Sequence, residues 1–337
     1  MKIRIFILIL TLGFIPSTLF SQVGLSKLAQ STMNFLIVGT SPRATALGEA
    51  YTALGTGSES MFYNPAGLSD MTTNFDVNIN YTKWIADINY LSGGIAYDLG
   101  NYGVLGISLL TVDYGTLYAT SLITTDQSLL YPLGYKEDGP MSNIGAYSVG
   151  LSYARAISRE FSIGGTIKLV GQNLGVSNFS NGITKNNNAT KIAFDGGIKF
   201  RTLFRSFAFG MAIRNFASSI KREQIDEQLP LEFSLGICMN IMEVINQEEA
   251  NDNKINVAVD FLHFNNYSER INLGIEYQYM NMISLRGGYQ TNHDISSWSA
   301  GIGFNTSISD YKIGANYSFA KFDIFNDVSR LSLVFSF

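Results

Sequence analysis

Cysteine and histidine are nearly missing from this chain of 337 residues, which holds one cysteine and two histidines. Cys238 alone makes neither an internal disulfide nor a cysteine-rich metal site, and we expect it to be a buried, inert thiol. His263 and His293 are thirty positions apart and carry no local ligand motif. A Gly-x-Ser-x-Gly elbow, a paired-histidine zinc motif and a phosphate-binding loop are also missing. The sequence therefore indicates a protein that is not an enzyme and uses no cofactor.

Charge is scarce as well. Charged residues make up 15% of the chain, the formal net charge is −4, and no basic block occurs. Nucleic-acid binding proteins carry a basic patch or stripe, so a nucleic-acid partner is excluded.

Only the start of the chain carries a long apolar run. Lys2 and Arg4 precede the apolar stretch from Ile5 to Ile15, and small residues follow up to Ser21. These are the three parts of a secretory signal peptide, and the apolar part is too short to cross about 30 Å of hydrocarbon as an anchor helix. We expect residues 1–21 to be a signal peptide that is cleaved before Gln22. Any membrane-spanning part must then consist of strands.

Alternation of apolar and polar residues dominates the rest of the chain. From Ile271 to Tyr279 every odd position is apolar or aromatic, and every even position is polar or glycine. Successive side chains of a strand point to opposite faces, so such a run has one apolar and one polar face. About fourteen runs of this kind follow Asn74. In an exported chain they predict an all-β transmembrane fold, an antiparallel outer-membrane β-barrel of about fourteen strands over residues 74–337.

The lengths of the connections agree with such a barrel, which has short periplasmic turns and longer outer loops. Short connections are expected at 100–102, 158–160, 201–206, 280–282 and 306–310, and long outer ones at 117–146, 175–190 and 219–230. The acidic turn from Met242 to Asn253 is the exception, because it is long but would face the periplasm. The chain closes on Phe335 and Phe337, which we expect to act in barrel assembly.

The two faces of the predicted strands differ in what they carry. The apolar face would contact outer-membrane lipid, with Tyr81, Trp84, Tyr279, Trp298 and Tyr311 near strand ends, where aromatic belts form. The opposite face carries charges of both signs, which we expect to face the lumen and to pair mainly with one another and with a plug. A ligand-selecting lining is the alternative. These residues are Asp76, Lys168, Asp195, Lys199, Arg214, Glu232, Asp260, Glu276 and Lys312.

A segment of different character, residues 22–73, precedes the strands. Ser41 and Pro42 suit a helix start, and Asn64-Pro65-Ala66-Gly67 suits a tight turn in which glycine permits a positive φ. We expect a short helical plug segment. Its gate or plug residues are predicted to be Arg43, which would pair with Asp76 or Glu276, and Asn64, Pro65, Ala66 and Gly67. The turn either seats the segment or gates an opening in the wall.

The outer loop at 117–146 is rich in apolar residues, which are costly to expose. It is predicted to fold over the lumen as a lid, to contact a partner, or to be disordered. The residues that would form the partner contact are Leu129, Leu130, Tyr131, Leu133 and Tyr135.

Two stretches of the N-terminal segment resemble a known family. Residues 34–51, which read NFLIVGTSPRATALGEAY, and residues 63–68, which read YNPAGL, are similar to the N-terminal signature of the PorV/PorQ family, and are nearer to its PorV-like members. The asparagine-proline-alanine element also occurs in the wider FadL-like group of fatty-acid transport barrels.

The resemblance implies a FadL-like barrel of fourteen strands whose N-terminal segment lies in or under the lumen. It implies a Bacteroidota-type outer membrane and a role in type IX secretion, in which the outer loops bind the C-terminal domains of exported cargo or partners of the translocon and attachment complex. The alternative is a FadL-like transporter that passes small hydrophobic molecules through the lumen. That alternative predicts an apolar pocket under residues 64–68 and a side opening in the wall.

Overall fold

The computed structural model describes residues 31–179, 183–221, 225–248, 250, 252–293, 297–322 and 325–337. The predicted signal peptide lies outside these residues. No helix in these ranges is long and apolar enough to cross a membrane.

Fourteen antiparallel strands close into a barrel, as the alternation predicted. The last strand pairs with the first, from Asp76 opposite Ser336 to Lys83 opposite Ser329, and leaves no free edge. The barrel strands are β1 (Phe75–Lys83), β2 (Asn89–Asp98), β3 (Val104–Asp113), β6 (Gly145–Ala156), β7 (Phe161–Asn178), β8 (Thr184–Arg201), β9 (Ala208–Phe216), β12 (Glu232–Asn240), β13 (Lys254–Phe264), β14 (Arg270–Tyr279), β15 (Ile283–Gln290), β16 (Trp298–Ile308), β17 (Tyr311–Ala320) and β18 (Val328–Ser336). Two small outer hairpins complete the strands, β4 (Tyr118–Leu122) with β5 (Tyr135–Pro140), and β10 (Ile220–Lys221) with β11 (Asp226–Glu227).

The barrel is apolar outside and polar inside. In β14, Leu273 and Ile275 are exposed on the outer face, whereas Asn272 and Glu276, which flank this pair, are fully buried. An outer face of exposed aliphatic side chains all around a closed barrel suits the hydrocarbon of a membrane. The protein is therefore an integral outer-membrane barrel.

The long turn at the periplasmic end, which the sequence left unexplained, is a structured link. It contains a short helix, α2 (Met242–Ile245). The Asn240 side chain accepts hydrogen bonds from the backbone of Met242 and Ile255, and Glu243 accepts one from the backbone N–H of Ser206 at 2.8 Å. Glu243 thus links this turn to the neighbouring turn at residues 201–206.

The plug segment, residues 31–73, lies inside the barrel. Its helix α1 (Pro42–Ala46) begins where Ser41 accepts a hydrogen bond from Ala44 N–H. The segment also contains three 3₁₀ helices, one before α1 at Asn34–Ile37 and two after it at Ser58–Phe62 and Pro65–Asp70. Thr32 donates to the carbonyl of Gln228 in an outer loop, so the segment runs from the outer mouth down to the periplasmic start of β1.

The plug segment touches all fourteen barrel strands. Helix α1 packs on β15 to β18, Ser58–Phe62 on β1 to β3, and Pro65–Asp70 on β6 to β8. Thr52 packs against β9 and β12. Asp260 of β13 and Glu276 of β14 accept hydrogen bonds from the segment. The described part of the segment therefore contacts the barrel wall around its whole circumference.

The C-terminal aromatic residues lie at the periplasmic end of the closing seam. Phe337 and Phe75 exchange two backbone hydrogen bonds, and their rings lie 5.1 Å apart. Phe335 stacks on Tyr311. Their predicted role in assembly stays a prediction.

Candidate functional site

A buried ion-pair cluster holds helix α1 of the plug segment. Arg43 on α1 makes a two-point contact with Glu276 on β14, with Nε 3.0 Å from Oε1 and Nη2 2.9 Å from Oε2. Arg286 on β15 donates to the same carboxylate at 2.8 Å, and Asn256 donates at 2.9 Å. One carboxylate thus binds two guanidinium groups, an arrangement that holds α1 against the wall. Of the two partners expected for Arg43, Glu276 is the one it contacts.

Two aspartates bind backbone groups of the plug segment. Asp260 Oδ2 accepts from the N–H groups of Tyr51 and Thr52, at 2.9 and 2.8 Å. Asp76 accepts from the backbone N–H of Ser58 at 2.8 Å and from its hydroxyl. Both carboxylates satisfy donors in segments that have no regular hydrogen-bonding partner.

The turn at residues 64–67 is seated against a continuous wall. Asn64 accepts from Ala66 N–H, as an N-cap, and its Nδ2 donates to the carbonyls of Thr52 and Ile198. Pro65 takes the first position of the 3₁₀ helix, and Ala66 is fully buried. The strands behind the turn pair without a gap, with Gly164 opposite Gly197, so no wall opening lies beside it.

Glycine is required at this turn for a different reason from the predicted one. Gly67 does not have a positive φ. A Cβ placed there would lie 2.4 Å from the carbonyl oxygen of Gly55. On the facing wall, a Cβ at Gly197 would lie 2.0 Å from Asn64 Oδ1. Close packing, and not backbone conformation, explains both glycines.

The other predicted lumen charges lie in pairs, with one exception. Lys168 contacts Asp195 at 2.7 Å, Lys199 contacts Asp70 of the plug segment at 2.6 Å, and Arg214 makes a two-point contact with Glu232. Lys312 does not face the covered lumen. It is exposed at the periplasmic rim, 3.2 Å from Thr72 Oγ1, because β17 begins only one residue earlier.

The apolar outer loop stands away from the lumen. Leu129, Leu130 and Leu133 are 95%, 76% and 76% exposed, and Tyr135 is also exposed. Tyr131 is half-buried. The loop therefore does not form the predicted lid.

A cavity of about 250 Å³ lies above the plug segment, towards the outer mouth. Its aromatic wall includes Trp84, Phe264, Tyr267 and Phe322, and its polar wall includes Glu49, Tyr63, Arg214, Glu232 and Arg330. The pocket expected under residues 64–68 is thus in the wrong place, since those residues pack tightly on the wall and the cavity is on the other side of the plug.

Trp84 is not part of an outer aromatic belt, contrary to its predicted position. Its ring packs edge-on against Phe322 at 5.1 Å and against Tyr90, and the Arg330 guanidinium lies 5.3 Å from its centre. Trp84 follows the last residue of β1, so the alternation of the strand no longer dictates where it points.

Two titratable groups of the cavity lie outside the membrane-spanning strands. Burial raises the pKa of Glu49 from 4.5 to about 7, while the positive charges of Arg330 and Arg214 oppose this rise. Burial lowers the pKa of His293 to about 4, so this ring is neutral at pH 7. Near pH 7, Glu49 therefore carries only part of its negative charge, and His293 carries no positive charge.

The pairing of β8 with β9 is irregular near Asp195 and ends shortly above it. Strands β8 and β9 lose register between Phe194 and Gly196, where Asn215 takes a positive φ of 61°. From residue 184 to residue 193, the described part of β8 pairs only with β7. The side opening expected for a transporter does not lie beside the turn at residues 64–67. Register is lost only at higher levels of the barrel among the described strands, in β8–β9 and between Asn173 and Val176 in β7–β8.

Sequence reasoning placed Trp84 in an aromatic belt and did not single out Phe264, Phe322 or Arg330. Arg330 shares the polar face of β18 with Ser332, so the alternation contained a signal for it. The aromatic residues lie at strand ends or in loops, and only the closed barrel brings them together.

No protein-family model and no curated protein matches this chain. Among solved structures, the barrel is similar to the CymD monoaromatic hydrocarbon channel, with a TM-score of 0.56 at 12% identity over 89% of this chain and 98% of that one. It is similar to the toluene transporter TodX of Pseudomonas putida, with a TM-score of 0.52 at 13% identity over 87% and 96% of the two chains. A FadL homologue of Pseudomonas aeruginosa gives a TM-score of 0.51 at 11% identity over 89% and 97%. The fold of this protein is that of the FadL-like outer-membrane barrels.

Proposed function

We propose that this protein is an outer-membrane channel that admits small hydrophobic molecules through the cavity above the plug segment. The observation that carries the proposal is the position of this cavity. It lies between the outer mouth and the plug, and aromatic side chains form much of its wall. Ligand sites in proteins are typically concave and combine apolar walls with polar groups that fix the orientation of the ligand. This cavity has an aromatic wall and a polar wall.

The plug segment is the proposed gate. Because it touches every strand of the barrel, a molecule that has reached the cavity does not pass further down the lumen unless the segment moves. The alternative route, sideways into the membrane, would lie where β8 continues past the end of β9 and pairs only with β7.

The names of the structural neighbours support the choice of substrate class. CymD is described as a monoaromatic hydrocarbon channel and TodX as a toluene transporter. Since the likeness to them is one of fold alone, the cavity is the independent argument.

Filling the cavity tests this function. Ala320 is 6% exposed and lines the cavity, so Ala320→Phe occupies part of its volume. We expect the uptake of radiolabelled toluene by porin-deficient cells to fall at least tenfold with this variant. The matched control is Ala300→Phe, which adds the same ring on the exposed lipid face of β16 and should leave uptake unchanged. Equal uptake by both folded variants would contradict the proposal.

A second candidate function rests on the outer loop. Leu129, Leu130 and Leu133 are each at least three-quarters exposed and form an apolar patch. Exposed apolar patches typically mark a surface that binds a partner. We propose that this patch binds a protein partner. The resemblance to the PorV/PorQ family names the class of partner, a type IX translocon subunit or the C-terminal domain of an exported protein, in a Bacteroidota-type outer membrane.

Affinity purification from detergent-solubilised outer membrane separates the two candidates. The tagged protein should recover such a partner, and a variant with Leu129→Asp, Leu130→Asp and Leu133→Asp should lose it. Recovery of the same proteins by both would show that the loop is not the contact. A barrel that is recovered alone, with a hydrophobic ligand, would leave the channel as the sole function.

A further inference from the structure

The size of the cavity limits what it holds. A dry protein cavity of about 150 Å³ accommodates benzene, and sites for drug-sized ligands begin at roughly 300 Å³. At about 250 Å³, this cavity has room for one aromatic ring and a few further atoms. Because the cavity is partly open, a longer molecule would extend beyond it.

Aromatic groups line it on two sides. Trp84 and Phe322 form one contact pair, at 5.1 Å and nearly perpendicular, and Phe264 and Tyr267 form another, at 6.0 Å. The Arg330 guanidinium lies over the Trp84 ring, and the Arg270 guanidinium lies over the Phe264 and Tyr267 rings. A further ring would meet the remaining edges and faces and gain about 0.5–1.5 kcal/mol for each aromatic pair beyond area burial. A planar apolar body is therefore favoured.

Three arginines, Arg214, Arg270 and Arg330, and two glutamates, Glu49 and Glu232, line the cavity, so its positive groups outnumber its negative ones. Glu49 interacts electrostatically with Arg330. Arg214 and Glu232 neutralise one another in a two-point contact. Arg330 is 4% exposed, and its Nε donates to the carbonyl of Gly39 at 2.9 Å. Its Nη1 has no hydrogen-bond partner among the described residues. A buried guanidinium group with an unpaired donor is costly, and an anion that accepts from it removes that cost.

Two other polar side chains of the cavity wall, Asn272 and Ser299, also have atoms without a hydrogen-bond partner in the described part of the chain. Asn272 is fully buried, and neither its amide nitrogen nor its amide oxygen has a hydrogen-bond partner in the described part of the chain. Ser299 Oγ lacks one as well. Both residues contribute to the wall of the same cavity. The side of the cavity formed by β14, β16 and β18 thus offers several unused hydrogen-bonding atoms beside two positive charges, Arg270 and Arg330.

From these observations we infer that the cavity is a binding site for a small aromatic carboxylate. The ring lies between the aromatic groups, and the carboxylate accepts from the Arg330 guanidinium. This inference rests on the proposed channel function and narrows its substrate class, because a plain hydrocarbon would leave Arg330 as it is.

Fluorescence of Trp84 gives a direct readout. The chain has two tryptophans, and both line the cavity, Trp298 at its exposed edge. Trp298→Phe therefore leaves Trp84 as the single reporter and keeps an aromatic ring at position 298. The probes are benzoate and toluene, which share the ring and differ in the carboxylate. Calorimetry with the same probes provides a second measurement, which does not depend on the contact between Trp84 and Arg330.

We expect benzoate to bind at least tenfold more tightly than toluene. Arg330→Gln should weaken benzoate binding about tenfold or more and leave toluene binding unchanged, since a hydrogen bond to a charged group contributes that much. Arg330→Lys keeps the charge and should retain part of the affinity. The matched control is Arg159→Gln, an exposed arginine in a periplasmic turn, which should change neither.

Equal affinities of the unmodified protein for benzoate and toluene would overturn the inference and leave the channel function intact. The absence of binding of either probe to the folded protein at millimolar concentration would overturn both. The comparison of benzoate with toluene uses the unmodified protein, so it tests the inference even if Arg330→Gln fails to fold.

Discussion

Removal of the Glu276 charge should loosen the plug segment and destabilise the barrel. Glu276 is fully buried, and its two arginine partners are 20% and 1% exposed on their side chains. Glu276→Gln keeps the shape of the side chain but leaves two guanidinium groups in the lumen without a counter-charge. Loss of one partner from a buried ion pair costs about 3–5 kcal/mol. Because Gln still accepts one or two hydrogen bonds, we expect a loss of about 3 kcal/mol in the free energy of unfolding.

The assay is reversible denaturant unfolding in lipid vesicles, followed by tryptophan fluorescence. Hydrogen exchange of residues 43–51 should rise in parallel, since these residues lose their anchor. Arg43→Met should cost less than Glu276→Gln, because the carboxylate keeps Arg286 as its partner.

The control is an ion pair of the outer loop. Lys136 and Asp138 lie 3.6 Å apart and are well exposed, so Asp138→Asn should change stability by less than about 0.5 kcal/mol. A cost below about 1 kcal/mol for Glu276→Gln, or one equal to that of the control, would refute the view that this cluster anchors the plug.

Three further predictions concern packing, pH and assembly. Gly197→Ala forces a Cβ to within 2.0 Å of Asn64 Oδ1 and should lower the free energy of unfolding by about 1–3 kcal/mol in the same titration. Because burial raises the pKa of Glu49 from 4.5 to about 7, stability should be full below pH 4.5 and fall by about 3 kcal/mol as the pH rises through 7. Phe337→Ala, which removes a ring 5.1 Å from Phe75, should lower the folded fraction in the outer membrane, as measured by heat-dependent gel mobility.

Each of these has a matched comparison. Gly196→Ala is one residue away, and its Cβ would meet nothing closer than 3.8 Å, so a cost equal to that of Gly197→Ala would contradict the packing argument. Glu49→Gln has no carboxyl to titrate and should flatten the pH profile between 4.5 and 7. An unchanged folded fraction for Phe337→Ala would remove the C-terminal ring from assembly.

The barrel was readable from the sequence because the alternation has a period of two over many strands. One polar and one apolar face per strand give both the fold and the side that each residue faces, as in β14, where Leu273 and Glu276 lie on opposite faces. The same reasoning failed for Trp84, which lies just beyond a strand, and for Lys312, which has the inward parity but lies at the rim.

The cavity could not be predicted in the same way. Its wall combines Glu49 of the plug segment, Arg214 of β9 and Arg330 of β18, which are far apart in the chain. Their proximity depends on how the plug segment crosses the lumen, and no local pattern encodes that path. The motif at residues 64–67 marked the plug correctly as a tight turn, but gave no indication of which side of it stays open.

The gating role of the plug segment is tested most directly by locking it to the wall. Thr45 Oγ1 on α1 and Ser318 Oγ on β17 lie 2.8 Å apart, so Thr45→Cys with Ser318→Cys, in a Cys238→Ala background, brings two thiols within reach of a disulfide. Our account predicts that uptake of radiolabelled toluene is low in the oxidised variant and returns to the unlocked rate after reduction. Equal uptake by the oxidised and reduced forms would contradict it.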